Sequence, residues 1–213
     1  MRITEIFHSV QGEGADTGLP TVFVRTTGCH LRCVWCDSAY AFYGGESVSV
    51  DEIVRTVQKW PTRRVCFTGG EPVLQPEGPE LVQRLLDGGY KVVIETSGSL
   101  DLARYRAMNP RDRLVLSVDV KCPGSEMQSR NKLDELPLLE AHDQVKFVIK
   151  DSADYAFAKS VVADVRVPCP VVFQPVWGDG DARWLADAVL EDGLDVRVSL
   201  QIHKHIWGEG PGH

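Results

Sequence analysis

The chain has 213 residues and a formal net charge of −7, and 43% of its residues are hydrophobic. This length and composition predict a single domain that spans residues 1–213. The acidic balance excludes a nucleic-acid scaffold, because phosphate binding needs a basic surface. No apolar run reaches the length of a membrane span and no signal-peptide pattern is present, so we expect a cytoplasmic protein without membrane partners.

Short apolar, β-branched runs alternate with helical patterns, which is typical of βαβ units in an α/β fold with a mostly parallel sheet. The predicted strands are residues 21–25, 65–68, 91–95, 114–119, 144–149, 171–174 and 196–201. The predicted helices are residues 50–60, 79–87, 152–162 and 182–190. The stretches 100–113 and 123–139 are less regular, so we expect one or both to lack a full crossover helix. The tail, residues 208–213, is predicted to be a loop.

Three cysteines, Cys29, Cys33 and Cys36, lie within eight residues, and no fourth cysteine is nearby. A cubane iron–sulfur cluster normally takes four thiolates, so three leave one iron open to a small chelating molecule. A structural zinc site is an alternative, although it needs a fourth Cys or His at short range. Clustered thiols also favour a reducing compartment. The isolated cysteines are expected to be plain buried thiols, namely Cys66, Cys122 and Cys169.

Polar residues follow five of the predicted strands at their carboxyl ends. They are Thr68-Gly-Gly-Glu-Pro72, Glu95-Thr-Ser-Gly98, Ser117-Val-Asp119-Val-Lys121, Gln174-Pro-Val-Trp177 and Gln201-Ile-His203-Lys204. One such cluster is typical of a turn. In parallel α/β folds, however, ligands bind beyond the carboxyl ends of the strands. Five clusters at one rim, beside the cysteine loop, therefore predict a ligand site.

The cysteine spacing, with Trp35 before the last thiol, resembles the signature of the radical S-adenosylmethionine superfamily. The resemblance implies a partial (β/α) barrel and a [4Fe–4S] cluster on Cys29, Cys33 and Cys36. S-adenosyl-L-methionine then chelates the unique iron and is cleaved to a 5′-deoxyadenosyl radical. Glu71 and its two preceding glycines match the Gly-Gly-Glu element of the superfamily, although a glycine turn is the alternative.

The superfamily resemblance also implies which residues bind the cofactor. Glycines let the backbone approach a ligand, and the Glu71 carboxylate would accept from the cofactor's ammonium group. Ser97, Gly98 and Ser117 would contact the ribose and the methionyl carboxylate. The full set of residues expected to bind the cofactor is Trp35, Cys36, Asp37, Gly70, Glu71, Ser97, Gly98, Ser117, Asp119, Lys121, Gln174 and Trp177.

Further motifs resemble the 7-carboxy-7-deazaguanine synthase family over nearly the whole chain. They are Ser9-Val-Gln-Gly-Glu-Gly14, Arg25, Cys36-Asp-Ser38, Glu95-Thr-Ser-Gly98 and Gln201-Ile-His-Lys204. The family is a carbon–nitrogen lyase of the queuosine and 7-deazapurine pathway. It converts 6-carboxy-5,6,7,8-tetrahydropterin to 7-carboxy-7-deazaguanine by hydrogen abstraction at C6, ring contraction, return of the hydrogen and loss of ammonia. The resemblance implies reduced helices, a regenerated cofactor, a homodimer and an electron donor such as flavodoxin or ferredoxin.

The family resemblance implies a pterin site as well. Its residues would be Val10, Gln11, Gly12, Glu13, Arg25, Thr96 and His203. Backbone groups, an amide and a carboxylate suit the donors and acceptors of a pterin edge, although a flexible glycine loop is the alternative for the N-terminal turn. Arg25 lies inside an apolar strand, where it is costly unless paired, and its guanidinium suits the substrate carboxylate. His203 is either a substrate contact or a satisfied polar residue.

Ser38 is the expected Mg²⁺ ligand, with serine where the family more often has threonine. Mg²⁺ prefers oxygen ligands and keeps several waters, so one hydroxyl together with substrate oxygens is plausible. A helix cap is the alternative role for Ser38. In the family the terminal carboxylate approaches the substrate, and that position would fall on His213 if the chain ends there.

Two other functions stay open at this point. A glycyl-radical-activating enzyme shares the cysteine spacing but needs a protein partner. A small iron–sulfur electron carrier is the second, although the many polar strand ends and the few cysteines count against it.

Overall fold

The computed structural model describes residues 1–108 and 113–212. Its strands are β1 (Arg2–Val10), β2 (Pro20–Thr26), β3 (Glu46–Ser47), β4 (Arg64–Gly69), β5 (Lys91–Thr96), β6 (Leu114–Val120), β7 (Gln144–Ile149), β8 (Val171–Pro175) and β9 (Arg197–Val198). Over the described residues they form one open sheet in the order β3-β1-β2-β4-β5-β6-β7-β8-β9. β2 and β4 to β9 pair in parallel, whereas β1 pairs antiparallel with β2 and with β3. The prediction of a mostly parallel, partial barrel is confirmed.

Helices connect most of the parallel strands. They are α1 (Val50–Val57), α2 (Gly78–Asp87), α3 (Ala103–Arg106), α4 (Ser152–Asp164), α5 (Ala182–Asp192) and α6 (Ile202–Trp207). Between β6 and β7 the chain instead forms three 3-10 turns, Pro123–Ser125, Gln128–Arg130 and Leu133–Leu138. The expected loss of a crossover helix is confirmed there. Residues 109–112 of the other irregular stretch lie outside the described residues. None of the helices in the described part is long and apolar enough to cross a membrane.

The sequence patterns do not predict β1, β3 or α6. Most residues of β1 are only half-buried, so their apolar alternation is weak, and the strand depends on its pairing with β2. The predicted strand 196–201 is wrong in extent, because only Arg197–Val198 is strand and the chain turns into α6 soon afterwards. Among the described residues β9 lies at the edge of the sheet and pairs with β8 alone, so few backbone hydrogen bonds are available to lengthen it.

Alternate residues of the parallel strands face two environments. Phe67 and Phe147 belong to the hydrophobic core that the helices cover. Their neighbours Thr68 and Lys146 line a cavity instead. Because successive strand side chains point to opposite faces, the helices occupy one face of the sheet and the cavity the other.

The loops that follow β2 and β4 are hydrogen-bonded to each other. The backbone N–H of Gly70 donates to the carbonyl of Thr26 at 3.1 Å, and that of Glu71 donates to Gly28 at 2.8 Å. A Cβ added at Gly70 would lie 2.1 Å from the carbonyl oxygen of Gly28. This glycine therefore brings the two loops together, which is a different reason from the ligand access that the sequence suggested.

We expect Gly70→Ala to lower the free energy of unfolding by about 1–3 kcal/mol, because the added methyl group overlaps a backbone carbonyl. Gly88→Ala is the matched control. Gly88 has a φ of −75°, and its added Cβ would make ordinary contacts from 3.4 Å. Urea unfolding of both variants measures the difference. Equal stability of the two variants would contradict the close contact at Gly70.

Candidate functional site

A cavity of about 520 Å³ lies at the carboxyl ends of the parallel strands. Among the sequence-predicted site residues, those that line it are Val10, Gln11, Gly12, Glu13, Arg25, Cys29, Cys33, Trp35, Cys36, Asp37, Ser38, Gly70, Glu71, Thr96, Ser97, Ser117, Asp119, Lys121, Gln174, Trp177 and His203. Gly98 is not among the lining residues. It has a φ of +64°, and an added Cβ would lie 2.5 Å from Val118 Cγ1. Gly98 is therefore required by its turn and its packing.

The three thiols of Cys29, Cys33 and Cys36 are half-buried and open onto this cavity. Their loop follows β2 and rests on the 3-10 turns between β6 and β7. The N–H of Val34 donates to the carbonyl of Ser125 at 3.3 Å. This contact and the hydrogen bond from the N–H of Glu71 to the carbonyl of Gly28 hold the loop at two points.

The thiol arrangement fits an iron–sulfur cluster better than a single zinc ion. In the described residues no group of three or more His, Cys, Asp or Glu side chains converges on one ion. The protein thiolates of a cubane bind different irons, so they share a cavity without meeting at one point. The zinc alternative needs such a convergence.

Glu71 is a buried carboxylate, 1% exposed, that is saturated by protein donors. Its Oε1 accepts from Thr96 Oγ1 at 2.7 Å and from the N–H of Val73 at 3.2 Å. Its Oε2 accepts from the N–H of Ser97 at 2.9 Å and from Ser97 Oγ at 2.6 Å. The Glu71 carboxylate therefore has no acceptor position left for the expected contact with the cofactor's ammonium group. Glu71 instead orients Thr96 and Ser97 at the rim.

Two buried acceptors in the cavity lack a protein partner. They are Asp119 Oδ1 and Gln174 Oε1. The other carboxylate oxygen of Asp119 lies 3.1 Å from Lys121 Nζ. Orphaned buried acceptors are costly unless a ligand satisfies them. The ammonium and ribose hydroxyl groups of S-adenosyl-L-methionine are suitable donors, so this side of the cavity fits the cofactor.

The N-terminal turn and α6 meet at the wall of the cavity. The N–H of Ile202 donates to the carbonyl of Gly12 at 3.1 Å. A Cβ at Gly12 would lie 1.8 Å from His203 Nδ1, so glycine is required for this contact. Burial lowers the pKa of His203, which favours its neutral form at pH 7. Gln11 is fixed by a hydrogen bond from its Nε2 to Glu95 Oε1 at 3.1 Å.

Glu13 is ionised in spite of its burial. Burial alone raises the pKa of a carboxyl group, but Lys146 Nζ lies 2.5 Å from Oε2 and lowers it. Gln201 Nε2 donates to Oε1 at 2.6 Å. The net result is a pKa for Glu13 below its usual value.

Asp37, directly after the last cluster thiol, is tied to α6. Its Oδ2 accepts from Gln201 Nε2 at 3.0 Å and from Lys204 Nζ at 3.1 Å. Burial opposes ionisation, but Lys204 and Lys146 together lower the pKa of Asp37 to about 2. The cluster loop and the C-terminal helix are therefore joined by an ion pair at neutral pH.

Arg25 is paired, as an arginine in a buried strand requires. Its Nε donates to Glu5 Oε1 at 2.7 Å, and Glu5 is its cross-strand neighbour on β1. Its guanidinium also lies 5.7 Å from the centre of the Phe7 ring and 5.8 Å from that of Tyr40. These contacts fix the guanidinium at the cavity wall.

Ser38 occupies the N-cap position of the 3-10 turn Ala39–Phe42 but makes no side-chain cap hydrogen bond. Its Oγ lies 3.9 Å from Cys36 Sγ and faces the cavity. The helix-cap alternative is therefore wrong for the hydroxyl group, which remains available to a metal ion.

Five further charged and polar residues line the cavity. They are Thr68, Glu95, Lys146, Gln201 and Lys204. The sequence places four of them at the ligand rim without a specific role and does not identify Lys146. Lys146 had the clearest signal, because it is a lysine inside an apolar strand, the same anomaly that identified Arg25. Burial raises the pKa of Glu95, and the neighbouring Glu13 carboxylate adds to this although Lys146 opposes it.

The C-terminal segment closes one wall of the cavity. Gly208, Glu209, Gly210 and Gly212 line it, and Trp177 Nε1 donates to Glu209 Oε1 at 2.5 Å. The expectation for the terminal carboxylate concerns His213, which lies outside the described residues.

Comparison with known proteins agrees with this geometry. Residues 23–134 match the model of the radical SAM superfamily. A 7-carboxy-7-deazaguanine synthase of Thermoplasma acidophilum is 42% identical over 100% of both chains. Another, of Koribacter versatilis, is 46% identical over 97% of each chain.

Solved structures show the same fold. The crystal structure of QueE from Escherichia coli covers 94% of this chain and 93% of its own, with a TM-score of 0.74 and 22% identity. Streptococcus suis SuiB bound to S-adenosylmethionine covers 82% of this chain and 45% of its own, with a TM-score of 0.58 and 10% identity. By its full-length matches, the chain belongs to the 7-carboxy-7-deazaguanine synthase family of the radical S-adenosylmethionine superfamily.

Proposed function

We propose that this chain converts 6-carboxy-5,6,7,8-tetrahydropterin into 7-carboxy-7-deazaguanine with loss of ammonia, a carbon–nitrogen lyase step of queuosine and 7-deazapurine biosynthesis. The observation that carries the proposal is that one cavity is lined by the three thiols, by the N-terminal turn Gln11–Glu13 and by Arg25. Relatives that match over the full length bear the name of this activity. The two alternative functions, radical-enzyme activation and simple electron transfer, have no such support.

The cofactors of the family are a [4Fe–4S] cluster, S-adenosyl-L-methionine and Mg²⁺. When bound, the first two would supply the radical chemistry for hydrogen abstraction at substrate C6. Cys29, Cys33 and Cys36 would hold the cluster. Asp119 Oδ1 and Gln174 Oε1 would accept from the cofactor, because both are buried acceptors without a protein partner.

On the substrate side, this chain's residues orient the pterin. Gln11 and Glu13 would bind its polar edge, since both side chains are held in place by protein hydrogen bonds. Arg25 uses only Nε for Glu5, and a guanidinium has four further N–H donors for the substrate carboxylate. Ser38 would ligate Mg²⁺ together with substrate oxygens. Thr96 and His203 would complete the pocket.

The proposal includes the protein's partners and location. A low-potential protein such as flavodoxin or ferredoxin would supply the electron, and two copies of the chain would form a homodimer, as in the family that the motifs resemble. All six cysteines are free thiols, which supports a reducing compartment such as the cytoplasm. One sheet and one core cluster run through the described residues, which supports a single domain.

Substitution of the proposed ligands tests cluster assembly. Cys29→Ala, Cys33→Ala and Cys36→Ala should each abolish the reconstituted iron–sulfur absorption, because only two protein thiolates would then remain to hold the cluster. Cys169→Ala is the control, since that thiol is buried away from the cavity. Iron content and visible absorption measure the result. A full, active cluster in any of the first three variants would remove the assignment.

The role of Ser38 is tested through its hydroxyl group. Ser38→Ala should weaken the dependence of turnover on Mg²⁺, while cluster content and S-adenosyl-L-methionine binding stay unchanged. Ser38→Thr keeps the hydroxyl and should retain the dependence. A titration of Mg²⁺ against anaerobic turnover compares the three proteins. An identical Mg²⁺ response in Ser38→Ala would leave the hydroxyl without a metal role.

Isotopic labelling tests the reaction itself. Anaerobic turnover of the pterin deuterated at C6 should yield 7-carboxy-7-deazaguanine and place deuterium in recovered S-adenosyl-L-methionine. This outcome requires that the substrate hydrogen visits the cofactor's 5′-carbon, which the cavity must hold within about 3–3.5 Å of C6. Mass spectrometry reads both molecules. Label confined to released 5′-deoxyadenosine would mean that the cofactor is consumed, and absence of label in both would exclude C6.

A further inference from the structure

Lys146 is a buried lysine that contacts two carboxylates of the cavity wall, Glu13 and Asp119. It lies in the middle of β7, directly opposite Asp119 on β6. Its Nζ is 2.5 Å from Glu13 Oε2 and 3.7 Å from Asp119 Oδ2, and its side chain is 12% exposed. Burying an ammonium group is costly unless carboxylates compensate it. Both of its carboxylate partners line the cavity.

Glu13 needs this ammonium group to remain an anion. Burial opposes its charge, and Lys146 is the main influence that lowers its pKa. Asp37, directly after the cluster thiols, acts in the opposite direction. The charged or titratable groups that surround the Glu13–Lys146 pair, from β2, β5, β6 and the residue after it, the cluster loop and α6, are Arg25, Glu95, Asp119, Lys121, Asp37, His203 and Lys204.

The geometry of the pair leaves Glu13 ready for a ligand. Lys146 occupies one lone pair of Oε2, and Gln201 occupies one of Oε1. Each carboxylate oxygen has a second lone pair, so an ionised Glu13 can still accept two hydrogen bonds. A protonated Glu13 would instead present a donor to the N–H groups of a pterin edge, which leaves buried donors unpaired.

We propose that Lys146 is a positioning residue for the pterin: its ammonium group holds Glu13 in place as an ionised acceptor for the substrate's N–H groups. The proposal rests on the proposed function and assigns a role to a residue outside the motifs. Lys146 also lies beside Asp119 Oδ2, which Lys121 contacts as well, so the unpartnered Oδ1 stays directed to another donor. One ammonium group thereby organises two acceptors of the cavity, Glu13 and Asp119.

The test compares Lys146→Met and Lys146→Arg with Lys150→Met in the reconstituted holoenzyme. Lys150 is the control because it follows the same strand, pairs with the exposed Asp179 at 2.7 Å and does not line the cavity. At neutral pH, Lys146→Met should raise the KM for the pterin about 10- to 100-fold, since the remaining carboxylate becomes protonated or unpaired. Lys146→Arg should recover most of this loss, and Lys150→Met should match the parent enzyme.

The pH profile separates this role from a merely structural one. Without the ammonium group the pKa of Glu13 rises. The acid limb of the pH profile of kcat/KM should therefore shift to higher pH by about one to two units in Lys146→Met. Glu13→Gln cannot titrate, so the double variant Glu13→Gln/Lys146→Met should lack the shifted limb. Cluster iron content and the Kd for S-adenosyl-L-methionine should change less than about twofold.

Three results would overturn the proposal. They are an unchanged KM and acid limb in Lys146→Met, an equal loss at every pH together with weaker cofactor binding, and a shifted limb that persists in the double variant. If Lys146→Met does not fold, the same profile of Lys146→Gln decides. Complete absence of pterin turnover in the parent enzyme is a different result, because it removes the proposed function itself.

Discussion

The buried carboxylate of Glu71 fixes the geometry around which the rest of the site is arranged. Its side chain binds Thr96 and Ser97 at the end of β5, while its backbone N–H binds Gly28 beside the first thiol. Three consecutive parallel strands, β2, β4 and β5, are thereby held in register at their carboxyl ends. A buried carboxylate tolerates this position only because four donors satisfy it.

The cavity contains charged groups of both signs, placed by strands that are distant in sequence. Glu13 follows β1, Arg25 lies on β2, Asp119 on β6 and Lys146 on β7. Glu13 and Asp119 have Lys146 within hydrogen-bond or ion-pair distance, and Asp37 has Lys204, which offsets the desolvation penalty of these three carboxylates. Glu71 and Glu95 are instead satisfied by neutral donors. Such a cavity can bind a cofactor and a substrate that both carry charged groups, because these carboxylates already have a cation or a hydrogen-bond donor as partner.

The sequence predicts the parallel strands and most helices because their apolar residues repeat with the correct period, and it places nearly all site residues at one rim. It does not predict how those residues are used. In the sequence Glu71 looks like a ligand contact, but in the structure its carboxylate oxygens accept hydrogen bonds from Thr96 and Ser97. Lys146 looks like one polar interruption of a strand, because its partner Glu13 is 133 positions away. Pairing across such distances follows only from the register of the sheet.

The irregular connection between β6 and β7 has a positive role in the site. In a regular helix the carbonyl of Ser125 would accept a bond within the helix. In the 3-10 turn it accepts instead from Val34 in the cysteine loop. Trp35 packs so closely on Gly124 that an added Cβ would lie 2.7 Å from its ring, while the N–H of Gly124 is held by Asp154 of α4 at 2.7 Å. The missing crossover helix thus leaves backbone groups free to support the thiols, and α4 anchors that support to the core.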